Sequence, residues 1–380
     1  MVLIAVSTLT FGIWLALAAT RLPVARRAPR LADAQPPPSW PGVVTIIPAR
    51  NEEATIGAVI AAHAAGDYAG ANQIILVDDQ SSDATAARAM AAAGELTLVA
   101  AAPLPAGWTG KLWAVKTGLA RAADIAPTAK YVLLADADVA LAPQTLSRLV
   151  AQAERSGAAL TSLMARLDAR GFWGGLLIPA FVFFFYKLYP FHVVNEPSAK
   201  LAAAAGGCML VRRDALDAIS GVDNIRGKLI DDCALASAIK STGRPIWLGL
   251  ATNEAVSLRD NRSLSSIWSM VARTAFAQLH HSWLMLAGTV IGMVLIYLAA
   301  PAIALFYPLH LNAGAALIAA AAWALMAISY LTIARAYDQA TWKTAFLPVA
   351  AFFYTLMTIA SAVNHARGAG GAWKGRLYPA

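Results

Sequence analysis

Charge is what this sequence lacks. Of its 380 residues only 14% are Asp, Glu, Lys or Arg, against roughly 25% in an average soluble protein. The gaps are long. No charged side chain occurs from Met1 to Thr20, none in the 61 residues between Arg273 and Arg335, and none between Lys343 and Arg367. With 58% of the residues hydrophobic, the chain is neither a simple soluble enzyme nor a disordered protein. Cysteine is also scarce. Cys208 and Cys233 are the only two, which excludes a disulfide framework and a cysteine metal site and fits a reducing compartment. No long basic run is present, so nucleic acid is not the partner. No G-x-G-x-x-G follows the first strand and no G-x-x-x-x-G-K-S/T occurs, so the nicotinamide-dinucleotide and P-loop readings lose their support.

What is present lies in the middle. Residues 21–273 hold 46 of the 52 charges, 25 basic and 21 acidic, and the tail from Arg335 adds five basic and one acidic. The two parts contribute +4 each to the net +8. A pure transporter does not fit a water-facing middle of about 250 residues, nor the lack of charge inside the apolar segments. The pattern predicts a soluble domain tied to a membrane at both ends.

Residues 1–20 read as an uncleaved anchor. Arg21, Arg26, Arg27 and Arg30 follow the apolar stretch rather than precede it, which puts them in the cytoplasm, facing anionic lipid, and the N-terminus outside. Residues 21–42 form a basic, Pro-rich linker ending in Pro36-Pro37-Pro38-Ser39-Trp40-Pro41. Strands are then predicted at Val43–Ile47, Gln73–Val77, Glu95–Ala100, Lys130–Ala135, Ala158–Met164 and Cys208–Val211. Helices fall between them at Glu52–Ala65, Asp83–Ala93, Lys111–Ala123 and Pro143–Ser156. Repeated units of this length predict an α/β domain over 43–262 with a parallel sheet and helices on both faces. Phe172–Phe191 is apolar enough to cross a membrane, but a crossing would split the acids before and after it between two sides. It is read as a helix in the interface. Residues 263–282 read as an amphipathic interface helix. Residues 283–364 read as three transmembrane helices and 365–380 as a basic tail. Counting spans puts that tail outside, whereas its Arg367, Lys374 and Arg376 argue for inside. The count is preferred, because the first anchor usually sets orientation.

Ligands in such sheets bind beyond the carboxyl ends of the strands, and the polar residues gather there. Pro48-Ala49-Arg50-Asn51-Glu52 follows the first strand, Asp78-Asp79-Gln80-Ser81-Ser82-Asp83 the second, and Asp136-Ala137-Asp138 a later one. Asn and Asp after a strand are also ordinary helix N-caps, but three such strand ends in one domain favour a site. Two carboxylates at i and i+2 suit a hard cation such as Mg²⁺ or Mn²⁺, whose remaining ligands would be water and phosphate oxygens. Asp136 and Asp138 therefore suggest a nucleoside diphosphate or triphosphate substrate. Asp78 and Asp79 suit base or ribose recognition. Ile230-Asp231-Asp232-Cys233 opens a helix with two acids in its first turn, where the dipole favours them. Lys111 suits a phosphate, or is a solvated helix residue. His280 and His281 read as interfacial, and the two cysteines as small buried residues.

These motifs resemble family 2 glycosyltransferases of the GT-A fold. Pro48–Glu52 looks like their P-x-x-N-E, Val77–Asp83 like V-D-D-x-S-x-D, Asp136–Asp138 like D-x-D, and Asp231–Leu235 is similar to E-D-x-x-L with Asp in first place. Arg273 fits the Arg of Q-x-x-R-W, although Met270 and Thr274 replace its Gln and Trp. Pro105–Ala114, Ile178–Phe184, Ala205–Val211 and Gly371–Arg376 look like the bacterial hopene-associated glycosyltransferases of the ceramide-glucosyltransferase-like branch. The resemblance implies a Rossmann-like GT-A domain in a bacterial inner-membrane protein with a cytoplasmic catalytic domain. It implies inverting transfer from a nucleotide-sugar, a UDP-sugar by preference, to a triterpenoid-type lipid, with a divalent cation on Asp138 and Asp136. Asp232, with Asp231, would be the catalytic base and Arg273 would close over the pyrophosphate. Pro48, Arg50, Asn51, Glu52, Asp78, Asp79, Lys111 and Asp136 would bind the donor. A polyprenyl-phosphate or ceramide acceptor, or a non-catalytic nucleotide-sugar-binding membrane protein, are the alternatives.

Overall fold

The computed structural model describes residues 1–25, 28–31, 36–371 and 374–376, with the backbone alone for residues 20–25. The side chain of Arg21, Arg26 and Arg27, part of the linker, Ala372-Trp373 of the tail motif and residues 377–380 lie outside the described residues. The chain divides into a sheet unit, Pro29–Asp168 with Tyr189–Arg259, and a helical unit, Met1–Ala28, Ala169–Leu188 and Asp260–Ala380.

The sheet unit is an α/β sandwich around nine strands: β1 (Val43–Ala49), β2 (Asn72–Asp78), β3 (Thr97–Ala100), β4 (Tyr131–Ala135), β5 (Val139–Leu141), β6 (Leu160–Met164), β7 (Cys208–Arg212), β8 (Ile246–Leu250) and β9 (Ala255–Ser257). Seven form the main sheet in the order β3-β2-β1-β4-β7-β6-β8, and β5 pairs with β9 in a small second sheet. β1 and β4 are buried along their whole length. Covering both faces of a central strand is why these segments read as unbroken apolar runs rather than alternating ones. Helix Gly110–Ile125 packs on β1 and β2. It approaches so closely that a Cβ on Gly118 would sit 2.4 Å from Ile46 Cγ2.

The sheet is parallel, as expected, except at one strand. β7 runs antiparallel to both β4 and β6. A parallel return needs a crossover to the opposite end of the sheet, and residues 165–207 make none. Ala205 is tied to Ser162 by two hydrogen bonds, N–H to Oγ at 2.9 Å and Oγ–H to the carbonyl at 3.1 Å. β7 therefore starts beside the end of β6 and runs back down.

Among the described residues, five helices of the helical unit are long and apolar enough to cross a membrane: Val2–Ala19, Gly171–Leu188, Trp283–Leu305, Ala313–Ala336 and Thr341–Ala366. Trp283–Leu305 widens to π-helical winding at Val294–Leu298, just ahead of Pro301, whose ring cannot donate to the preceding turn. Neighbouring carbonyls find other partners: Trp14 Nε1–H donates to Ile296 O at 2.8 Å and Thr10 Oγ1–H to Leu295 O at 3.3 Å. The expected interface helix over 263–282 is two pieces, Leu264–Ala272 and Ala275–Gln278.

Candidate active site

The main sheet has its switch point between β1 and β4, where strand order reverses direction, and this is where an open α/β sheet binds ligands. Pairing of β1 with β4 stops at Ile46–Leu134, while pairing with β2 continues to Ala49–Asp78. Pro48 lies in the unpaired stretch. It has no N–H to leave unsatisfied there, so the cleft opens without stranding a donor. A small pocket occupies the place, lined by Pro48, Ala135, Asp136, Lys111, Gly206 and Asp231 among others.

The loops after β1 and β2 are stitched to one another. The Arg50 guanidinium donates to the carbonyls of Asp79 and Gln80. Asn51 N–H donates to Ser81 Oγ at 3.0 Å and Asn51 Oδ1 accepts from Ser82 N–H at 2.9 Å. Glu52 N–H donates to Thr85 Oγ1 at 2.8 Å. Asp78 Oδ1 accepts from Ser81 N–H at 3.2 Å, and Asp79, fully buried, donates its N–H to Ala49 O at 2.8 Å. Asp83 accepts from Thr85 N–H at 3.0 Å and Glu53 N–H at 3.2 Å. Burial works to raise its carboxyl, but these bonds outweigh it and hold the group below the ordinary carboxylate value. Asn51 and Gln80 take left-handed backbone (φ 50° and 58°), the region in which Asn is at home. Asp83 precedes the cap position of helix Thr85–Ala92, which is Ala84 and makes no side-chain cap bond, and its carboxylate accepts from the helix's first N–H.

Beyond β4 the arrangement changes. Lys111 Nζ lies 2.8 Å from Asp136 Oδ1 and 3.1 Å from Asp231 Oδ2. Burial works against the ammonium, but Asp136, Asp231 and Asp232 outweigh it and hold Lys111 above the usual lysine range. Asp136 is pushed up by burial, with Asp138 and Asp231 adding to that and Lys111 opposing it. Asp232 opens helix Asp231–Ser241. Its Oδ2 accepts from Gly206 N–H at 2.9 Å and its Oδ1 from Cys233 N–H at 2.7 Å. Burial, reinforced by Asp231, pushes its carboxyl up to about 6 against Lys111 and the two amides. Gly206 makes this convergence possible, because a Cβ there would meet Lys111 Nζ at 3.1 Å and Asp232 Oδ2 at 3.3 Å.

Asp138 faces a different partner. Its Oδ2 accepts from Ser257 Oγ–H at 3.0 Å, and its carbonyl from Leu258 N–H at 2.7 Å, across the β5–β9 pair. Asp136 and Asp138 thus offer hard oxygens at one strand end. Among the described residues no cluster of three or more His, Cys, Asp or Glu side chains is placed to hold a metal. The donor set therefore fits a cation shared with a substrate's phosphates, the usual state of Mg²⁺, rather than an all-protein cage.

The structure thus brings Pro48, Lys111, Asp136 and Asp231 to one pocket, with Asp232 bonded to its lining residue Gly206 and with Arg50, Asn51, Glu52, Asp78 and Asp79 in the adjoining stitched loops. Arg273 belongs to the helical unit, where it ends helix Leu264–Ala272. Sequence reasoning missed Gly206 as a clearance residue and Ser257 as the partner of Asp138. Nothing in the local pattern announces a partner 119 residues away, although a glycine pair before an apolar strand is a mark of close approach.

A family profile described as glycosyltransferase like family 2 matches residues 41–278. No curated protein matches the chain. Among solved structures, the chain is similar to the mannosyltransferase PcManGT of Pyrobaculum calidifontis, held there with GDP-Man and Mn²⁺. The match has 20% identity, covers 95% of this chain and 98% of that one, and has a TM-score of 0.53. It is also similar to glucosyl-3-phosphoglycerate synthase of Mycobacterium tuberculosis, held with Mg²⁺ and uridine diphosphate. There the identity is 21%, the coverage 66% of this chain and 86% of that one, and the TM-score 0.43. At these identities the first likeness bears on the fold alone.

Proposed function

The chain belongs to glycosyltransferase family 2, and from that premise we propose that it moves a sugar from a nucleotide-diphosphate sugar to the hydroxyl of a membrane lipid. The observation that carries the reading is Asp232. It is a half-buried carboxylate held by two backbone amides, pushed up to about 6, beside the Lys111–Asp136–Asp231 cluster at the sheet's switch point. A carboxylate poised there is ionised at neutral pH yet basic enough to take a proton.

In this reading Asp232 accepts the proton of the acceptor hydroxyl as its oxygen attacks the anomeric carbon. The nucleoside diphosphate departs from the opposite face, so the sugar's configuration inverts. Asp136 and Asp138 would hold a divalent cation, Mg²⁺ or Mn²⁺. Bound there, it supplies positive charge for the diphosphate leaving group. Lys111 offers its ammonium to the same phosphates, and Asp231 keeps that ammonium in place. Asp78 and Asp79 face base and ribose, within loops whose shape Arg50, Asn51 and Glu52 maintain. Arg273 is assigned to the pyrophosphate by its place in the family's motif order.

The lipid acceptor is supported by the five apolar helices, and its triterpenoid class by the likeness of Pro105–Ala114 and the other segments to the hopene-associated branch. The cell membrane with the catalytic unit in the cytoplasm is the corresponding location. Lipid extracts from cells with and without the gene, compared by mass spectrometry, test the acceptor. A hexosyl-hopanoid species that depends on the gene is the expected result. A gene-dependent polyprenyl-phosphate sugar or ceramide hexoside would overturn the acceptor class, and unchanged lipids would favour a non-catalytic protein.

A further inference from the structure

The helical unit holds five apolar helices of crossing length, yet its internal contacts separate them into two kinds. The far end of the bundle is defined by Leu3, Val6 and Phe11 packing with Ala300, Ile303, Ala315, Ala319 and Ala322. Helices Trp283–Leu305 and Ala313–Ala336 meet there through the short connection 306–312, so they are antiparallel neighbours. Trp283 and Ala336 accordingly lie at the near end, as does the C-terminal end of the first helix.

The chain after Ala336 does not travel to the far end. Trp323 Nε1–H donates to Ala345 O at 2.9 Å, so nine residues past Ala336 the chain is beside the middle of the helix it has just left. Pro348 then starts helix Leu347–Ala366. That helix ends where Trp283–Leu305 begins: Phe276 N–H donates to Ser361 Oγ at 3.0 Å, and the His281 and His365 rings stack 4.2 Å apart. Residues 337–366 leave the near end, reach about half depth and come back.

We propose that Thr341–Ala366 is a re-entrant hairpin rather than a crossing, and that with Gly171–Leu188 it embeds in the one bilayer leaflet on the side of Arg273. The two segments pack on each other through Tyr354 Oη–H to Leu177 O at 2.9 Å and the Trp173–Phe353 and Phe184–Tyr354 ring pairs. Half of each is buried inside the protein, against 22%, 17% and 33% for the other three. That is the condition under which partly inserted backbone is tolerated. Charge agrees. Arg273, Arg335 and Arg367 fall at the near end and Lys343 turns its ammonium back to Gln339 Oε1 at 2.8 Å, while the far connection, residues 306–312, carries no charged side chain. Three crossings then put the basic tail on the side of Arg273. The count of spans and the positive-inside rule, which disagree for four crossings, agree for three. The surface fits an asymmetric partner: five apolar helices meet one leaflet and three meet the other.

This inference rests on the membrane reading above but not on the transfer reaction. Single cysteines at exposed Leu309 and Ala369 (Leu309→Cys, Ala369→Cys), with the parent chain as background, are labelled with a membrane-impermeant maleimide in right-side-out and inverted vesicles. Labelling from opposite faces is expected, and labelling from the same face would overturn the hairpin. If either site resists the reagent, reporters fused to the C-terminus decide. A fluorescent protein active only in the cytoplasm should light up, and an active alkaline phosphatase there would contradict the proposal. Asp124→Cys reads the sheet unit separately. Its labelling from outside would overturn the cytoplasmic catalytic unit while leaving the Leu309–Ala369 comparison intact.

Discussion

The two sides of the switch point carry similar residues and use them differently. After β1 and β2, Arg50, Asn51, Ser81, Ser82 and Asp83 bond to one another and to backbone. After β4, Asp136, Asp231 and Asp232 crowd round one lysine at a half-buried pocket edge. The first side spends its polar groups on shape. The second stores electrostatic energy that a phosphate, a cation or a proton can redistribute. Polar loops at strand ends are thus not one kind of site, and the difference is visible only once partners are known.

Substitutions can break that contrast. Lys111→Met should have the largest structural effect. It strips the counter-charge from Asp136 and Asp231, and stability should fall by roughly 3 kcal/mol, the low end of the scale for breaking a buried ion pair, because these side chains are half-buried. A thermal midpoint equal to that of the parent protein would show that the acids do not need it. Asp138→Ala should weaken Mn²⁺-dependent donor binding by about 10–100-fold, measured by calorimetry with and without the ion; unchanged affinity would remove the D-x-D pair from donor binding.

The pH dependence sharpens the same side. Asp232 must be ionised to take a proton, so kcat/KM should fall about tenfold per unit below pH 6. A profile flat from pH 7 to pH 5 would contradict the pKa of about 6. The stability sign runs the other way. The folded value lies above that of an ordinary carboxyl, so the group favours the fold at low pH and that contribution is lost as pH rises through about 6. Arg50→Ala should be the mildest. Loss of its bonds to the Asp79 and Gln80 carbonyls costs about 1–3 kcal/mol, with a smaller loss of donor affinity than Asp138→Ala. The opposite ranking would make Arg50 a direct donor ligand.

Much of this geometry is legible in the sequence. The strand-end position of Pro48, Asp78, Asp136 and Asp138 follows from apolar runs broken by polar residues, and the helix opened by Asp231-Asp232 follows from the dipole preference for early acids. The direction of β7 is not legible, because an apolar run reads the same up or down. Nor is the Ser257–Asp138 bond, which depends on the β5–β9 pairing of distant short strands. The motif roles of Arg50 and Asn51 as loop braces are hidden for the same reason. Their partners lie about 30 residues on, and a motif reports residue types, not what they touch. In the helical unit composition predicts apolar helices, but whether one of them crosses depends on where its ends are held.

The central claim is that chemistry resides at Asp232 while donor binding resides elsewhere. Asp232→Asn keeps the side chain's shape and can keep one of its two bonds, from Gly206 N–H or Cys233 N–H, and removes the charge. Sugar transfer to lipid and equilibrium binding of the nucleotide-sugar, measured on the same purified protein, separate the two. Transfer is expected to fall by about 10²–10⁴-fold with donor affinity within about twofold of the parent protein. Transfer at the parent rate would contradict the account.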